Sequence, residues 1–172
     1  MERKTVTMDS ANRARSQVIH IREAEFPGDM AAVLDIWREY VASPSVSLEY
    51  QDNESEFAVL PGKYEAPEGR IFLAEIEGRL AGCVAFRRED NAICEMKRLY
   101  VRPFARGTGM GRKLVTAAID AARAAGYAEM RLDVLAEFEA AQQLYASFGF
   151  GDADPISENP TPGARFLGLA LT

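Results

Sequence analysis

Between Leu99 and Arg112 the chain reads LYVRPFARGTGMGR, a strand end that passes through a glycine-rich loop into the start of a helix. Such a junction places unencumbered backbone at a helix N-terminus. Glycines let successive N–H groups turn toward one anion, and the helix dipole adds to the attraction. Arg106 and Arg112 flank the loop and can add charge-assisted hydrogen bonds to a pyrophosphate or a sugar phosphate.

Spacing separates three phosphate-binding patterns. A Walker A loop needs GxxxxGK[ST], and counting from Gly107 its second glycine position is Arg112. A dinucleotide fingerprint needs GxGxxG at the first turn of a βαβ unit. Here Gly107, Gly109 and Gly111 alternate, and they follow strand-like segments joined by short turns. The third pattern, RxxGxG, is met by Arg106, Gly109 and Gly111.

The rest of the chain reads as one mixed α/β unit. Alternation in VIHIREA predicts a strand from Val18 to Ala24, and apolar residues at helical spacing from Ala32 to Tyr40 predict a helix that ends near Ser43-Pro44. A second short helix is expected between Ser47 and Leu60. Three strands follow at Arg70 to Glu77, Leu80 to Arg88 and Ala92 to Val101, and their short connections suit an antiparallel meander. A helix from Gly109 to Ala125, a strand from Met130 to Leu135, a helix from Glu137 to Phe148 and two last strands around a proline-rich loop complete the order.

At 172 residues the chain suits a single domain from residue 17 onward, after a polar 1–16 segment expected to be a flexible tail. No apolar run approaches a membrane span and the N-terminus lacks a signal-like stretch, so a cytoplasmic protein without membrane contact is expected. The net charge of −6 argues against nucleic-acid binding. One histidine, His20, and two separated cysteines, Cys83 and Cys94, leave little from which to build a metal centre or a Ser-His-Asp triad. His20 reads as structural, and the cysteines as buried free thiols.

The match to RxxGxG extends beyond the loop, through MRLDVL to LYASFGF at Leu144 to Phe150. With these motifs in this order the chain resembles the GCN5-related N-acetyltransferase (GNAT) family from about Arg70 to Phe150, and the segments at Leu60 to Tyr64, Cys94 to Val101 and the proline-rich tail resemble those of its bacterial members. The resemblance implies an α+β fold with a mixed, mostly antiparallel sheet of six or seven strands and about four helices, splayed between the fourth and fifth strands. It also implies acetyl-CoA as donor. Leu99, Tyr100 and Val101 would pair with the pantetheine arm like an added strand, and Gly107, Thr108, Gly109, Met110, Gly111 and Arg112 would meet the pyrophosphate, with Arg106 beside them.

Acetyl transfer to an amine requires a base, because an alkyl ammonium has a pKa of about 10.4, and a proton donor for the departing thiolate. Glu95, four residues before Leu99, stands where the histone-acetylating branch of the family places its base. Tyr145 in LYxxxGF stands where the family places its general acid. Phe138 replaces an asparagine that many members direct at coenzyme A, so that contact is not carried over. The resemblance places the acceptor near Leu60 to Tyr64 and Asn159 to Gly163. A small amine is the expected acceptor, no metal is implied, and a homodimer is compatible with exposed last strands. A protein or peptide acetyltransferase and a non-catalytic acetyl-CoA sensor remain the alternatives.

Overall fold

Period-two patterning becomes a sheet wherever both faces find cover, and here helices cover both. The computed structural model describes residues 17–45 and 52–172; the expected tail at 1–16 and the first part of the expected second helix lie outside the described residues. Strands β1 (Ile19–Glu23), β2 (Arg70–Ile76), β3 (Arg79–Arg88), β4 (Ile93–Val101), β5 (Glu129–Val134), β6 (Gly151–Asp152) and β7 (Arg165–Ala170) form one seven-stranded sheet in the order β1-β2-β3-β4-β5-β7-β6. All neighbours are antiparallel except β4 and β5, which run parallel. Helices α1 (Met30–Ala42), α2 (Asn53–Ala58), α3 (Met110–Ala124) and α4 (Glu139–Phe148) complete the fold. No helix among the described residues is long and apolar enough to cross a membrane.

The core has two parts, one on each face of the sheet. On one face α3 buries Leu114, Val115, Ala118, Ile119 and Ala122, spaced to form a single stripe, against Val84, Phe86 and Met96. On the other, Val33, Ile36 and Trp37 of α1 and Phe57 of α2 cover Ile71, Leu73 and Cys83. Each such fully buried aliphatic side chain contributes roughly 1.5–3 kcal/mol, which outweighs local propensity. Leu60 and Tyr64 belong to this second core, while Gly62 and Lys63 between them stay exposed. Both cysteines are buried free thiols, and burial pushes each up to about 12.

Two backbone features place the later site. Gly82 in β3 leaves no room for a side chain: a Cβ there would lie 2.8 Å from Met110 Sδ and 3.1 Å from Leu114 Cδ1. Only glycine lets α3 sit this close to the sheet. The second feature is a bulge in β4. Cys83 faces Tyr100 and Ala85 faces Lys97, so Arg98 and Leu99 together oppose Val84. Arg98 adopts φ +60°, which a residue with a Cβ occupies at a cost of about 1 kcal/mol or more. The Cys83 thiol donates to the Arg98 carbonyl at 3.2 Å.

Arg22 of β1 holds the start of α1 through paired bonds to Asp29, 2.7 and 2.9 Å, and Asp29 also accepts from the Glu25 N–H at 2.7 Å. These bonds, the Arg22 contact first, hold the Asp29 carboxyl at about 2. A carboxyl depressed in this way stabilises the fold above its unfolded value of about 3.9 and loses that contribution as the pH falls through about 2. Asp29→Asn is expected to lower stability to urea at pH 7 by about 1 kcal/mol, since solvent screens part of the pair. The gap from wild type should close in the acid window; a gap that persists there would assign the loss to packing.

Candidate active site

The parallel pairing of β4 with β5 is short. It joins Ile93 to Glu129, Cys94 to Met130 and Glu95 to Arg131, and stops there. Beyond Glu95 the bulge turns β4 away, so its last residues present an edge that β5 does not cover. Arg102 donates its N–H to the Ala81 carbonyl at 2.7 Å, toward β3. Backbone groups alternate along a strand, so Tyr100 turns the same way, and Leu99 and Val101 turn theirs to the open edge.

This edge leads to the loop before α3. Gly107 and Gly109 have φ of +77° and +84°, and Gly109 caps α3 without a side-chain bond. Among the described residues no N–H from Gly107 to Arg112 donates to a protein acceptor. A run of unpaired N–H groups at the start of a 15-residue helix is a cradle for an anion. Thr108 Oγ1 donates to the Ala105 carbonyl at 2.6 Å, which leaves its N–H as its contribution to the cradle.

The two arginines are engaged with protein. Arg106 Nε donates to the Val101 carbonyl at 3.0 Å, folding the side chain onto the open edge. Arg112 donates to Ser147 Oγ at 2.7 Å and lies 4.9 Å from the Phe148 ring, tying α3 to α4. Edge and cradle line one groove of about 520 Å³, whose walls include Leu99, Tyr100, Val101, Arg106, Gly107, Gly109, Met110 and Gly111. Phe138 and Leu144 close its far side.

A smaller cavity of about 40 Å³, room for a few waters or one amine head, lies within the splay. It shares Tyr40, Leu99, Phe138 and Ala141 with the groove. Tyr145 lines this inner cavity, its ring tilted against that of Phe150 at 5.6 Å, and burial pushes its phenol up, so it stays protonated. The turn that ends α4, with the Phe150 N–H on the Tyr145 carbonyl at 3.2 Å, brings that ring in.

Glu95 does not line the inner cavity. It is 2% exposed, behind Lys97, whose Nζ lies 3.5 Å from Glu95 Oε1. Arg87 Nη2 approaches the same oxygen at 3.7 Å, and Oε2 has no partner among the described residues. Burial pushes the Glu95 carboxyl up, against the pull of Lys97 and Arg87. Lys97 does line the cavity, and burial pushes its ammonium down, opposed by Glu95 and aided by Arg87 and Arg98.

These groups belong to a larger buried set. Arg98 donates through Nη2 to Asn53 Oδ1 at 3.0 Å and to Glu56, and Arg87 donates to Glu56 at 3.0 Å. Burial disfavours the Glu56 charge, yet Arg98 overcomes it and holds the carboxyl below its usual range. The Arg98 guanidinium lies 4.6 Å from the Trp37 ring and 5.2 Å from Phe57, faces that take the place of hydrogen bonds to its Nε and Nη1. Arg87, Lys97 and Arg98 thus stand against Glu56 and Glu95, with Asp133 across the cavity from Lys97 and Arg98. An arginine keeps its proton, and burial together with these neighbouring cations weakens the hold of Lys97 on its own.

Of the residues singled out from the sequence, Leu99 to Val101 and the loop glycines line the groove and Tyr145 the inner cavity, while Lys97 and Asp133, two of the three charged residues of that cavity, were not singled out. A signal for each was present: Lys97 is two residues from Glu95 on one strand face, and Asp133 breaks an apolar strand, MRLDVL.

Comparison with known proteins agrees with this geometry. Residues 30–150 match the sequence profile of the Acetyltransferase (GNAT) family. An uncharacterised N-acetyltransferase of Schizosaccharomyces pombe is 35% identical over 156 residues, spanning 90% of this chain and 96% of its own. Among solved structures, a GNAT acetyltransferase of Staphylococcus aureus Mu50 superposes with a TM-score of 0.75 at 19% identity, covering 90% of this chain and all of its own. A Salmonella typhimurium protein solved with its cofactor acetyl-CoA gives 0.68 at 22% identity, covering 90% and 95%. The sheet order, the splay and the profile match agree, and the chain belongs to the GNAT family of acetyltransferases.

Proposed function

We propose that this protein transfers an acetyl group from acetyl-CoA to a small amine by direct attack. The observation that carries the reading is the continuity of three parts: an uncovered β4 edge, a row of unpaired N–H groups at α3, and an inner cavity lined by Tyr145 and Lys97. Leu99 and Val101 pair with the amides of the pantetheine arm, and the N–H groups of Gly107 to Arg112 hold the pyrophosphate. Bound there, acetyl-CoA supplies an activated acetyl group and a thiolate leaving group. The cofactor-bound Salmonella relative supports this donor.

The chain's own residues supply the proton transfers. Lys97, its hold on a proton weakened by burial, in its neutral form receives one from the incoming ammonium, and Glu95, 3.5 Å behind it, stabilises the cation that forms. Glu95 thus acts in proton removal through Lys97. Tyr145, protonated and lining the same cavity, donates to the thiolate. The few-water volume of the cavity supports a small amine head.

Isothermal titration with acetyl-CoA and coenzyme A, followed by a thiol-release screen over amines, tests the reading. Micromolar donor binding with release on one amine class is expected; no coenzyme A binding would overturn it. Tyr145→Phe should lower kcat about tenfold without weakening donor binding, since water can replace the phenol at reduced efficiency. An unchanged kcat would return Tyr145 to the core.

A further inference from the structure

Among the described residues, Asp133 is the one carboxylate that lines the inner cavity. It lies on β5, across the splay from Lys97 and Arg98 of β4, on the strand face opposite buried Leu132 and Val134. Lys97 has Glu95 within 4 Å, and Arg98 has Glu56. Asp133 has no cationic partner within that distance among the described residues. A carboxylate that faces a cavity with no ion-pair partner within 4 Å attracts a cation that enters it.

The carboxylate is also held in place. Asn159 Nδ2 donates to Asp133 Oδ2 at 2.7 Å, and Asn159 Oδ1 in turn accepts the Thr161 N–H at 3.1 Å. The amide is thus oriented by its own turn, and Asp133 keeps its second oxygen for another donor. This turn belongs to the loop between β6 and β7. The loop rests on the link between β5 and α4, where a Cβ on Gly163 would lie 3.1 Å from Ala136 Cβ.

We infer that Asp133, positioned by Asn159, receives the acceptor as an ammonium ion at the inner cavity, so that the acceptor class is a primary cationic amine selected by charge before it reacts. The inference rests on the acetyltransferase reading. Around the bound nitrogen stand Asp133 of β5, Lys97 and Arg98 of β4 with Glu95 and Arg87 behind them, Glu56 of α2, Tyr40 of α1 and Tyr145 of α4. Asp133 attracts the cation, and Lys97 takes its proton. The remaining wall, Met96, Leu99, Val134, Leu135, Phe138 and Ala141, offers the carbon chain apolar contact.

Binding of n-butylammonium and of its neutral isostere n-butanol to the coenzyme A-loaded protein, followed by ligand-observed NMR at neutral pH, tests this directly. Wild type should prefer the ammonium by about tenfold, the worth of a charge-assisted hydrogen bond. Asp133→Asn should abolish the preference while n-butanol binding and coenzyme A affinity stay unchanged, and Asn159→Ala should reduce it without abolishing it. Equal binding of the two probes to wild type, or a preference that survives in Asp133→Asn, would overturn the inference. Loss of coenzyme A binding is read separately by titration and bears on the groove alone.

Discussion

Lys97→Met is expected to lower kcat by about a hundredfold or more near neutral pH and to leave acetyl-CoA affinity within twofold, because a positioned base contributes roughly 10²–10⁴ to such a step. Methionine keeps the length and apolar stem of the side chain, so packing changes little. The pH profile separates Lys97 from Glu95. Activity rises with pH as the base loses its proton, and in Glu95→Gln the anion that opposes the lowering of the Lys97 pKa is gone. The acid limb should therefore move to lower pH, with a reduced plateau because the base is weaker. Were the limb to vanish in Glu95→Gln while Lys97→Met kept its kcat, the carboxylate itself would be the proton acceptor.

Arg98→Leu should be the most destabilising single change, by about 3 kcal/mol, with a fall in Tm of about 6–12 °C. Leucine takes the Arg98 charge from Glu56, removes the Arg98 donor from Asn53 Oδ1 and removes the cation from between Trp37 and Phe57. Replacing Glu56 and Arg98 together by leucine should recover part of the loss, since the buried charge goes with its partner. A loss under 1 kcal/mol in the single variant would show that α2 is held to β4 by its apolar contacts.

What could be read from the sequence was what neighbouring residues decide. The three strands of the meander, the stripe of α3 and the RxxGxG loop depend on spacing within a dozen residues, and they fall within one or two residues of expectation. The bulge was not legible, because nothing in CEMKRLYV marks Arg98 for φ +60°. Its consequence is a change of register. Counted by twos, Glu95, Lys97 and Leu99 share a face, yet Leu99 packs with the α3 side of the core while Arg98 lies against Trp37. Glu95 was readable as an ionisable residue near the edge, but its position behind Lys97 depends on that shift. Likewise the sequence marked Leu60 to Tyr64 as turn chemistry, which Gly62–Tyr64 keeps as a single 3-10 turn, while long-range packing draws its two ends into the core, the Tyr64 ring 5.0 Å from Trp37. Asn159 lay in a loop of interest, but its partner Asp133 is 26 residues away, beyond any local pattern.

The absent side chain at Gly82 bears on more than packing. It lets Met110 at the head of α3 rest on β3 at the point opposite Val101, the last residue of the open β4 edge. The two surfaces that grip a donor as proposed, edge and helix start, are thereby fixed to each other through the Met110 and Leu114 side chains packed directly on bare β3 backbone. The groove then works as a ruler. A carrier is judged by the distance between its phosphates and its thioester, and an acyl group on a shorter arm would stop before Tyr145 however well its phosphates were held.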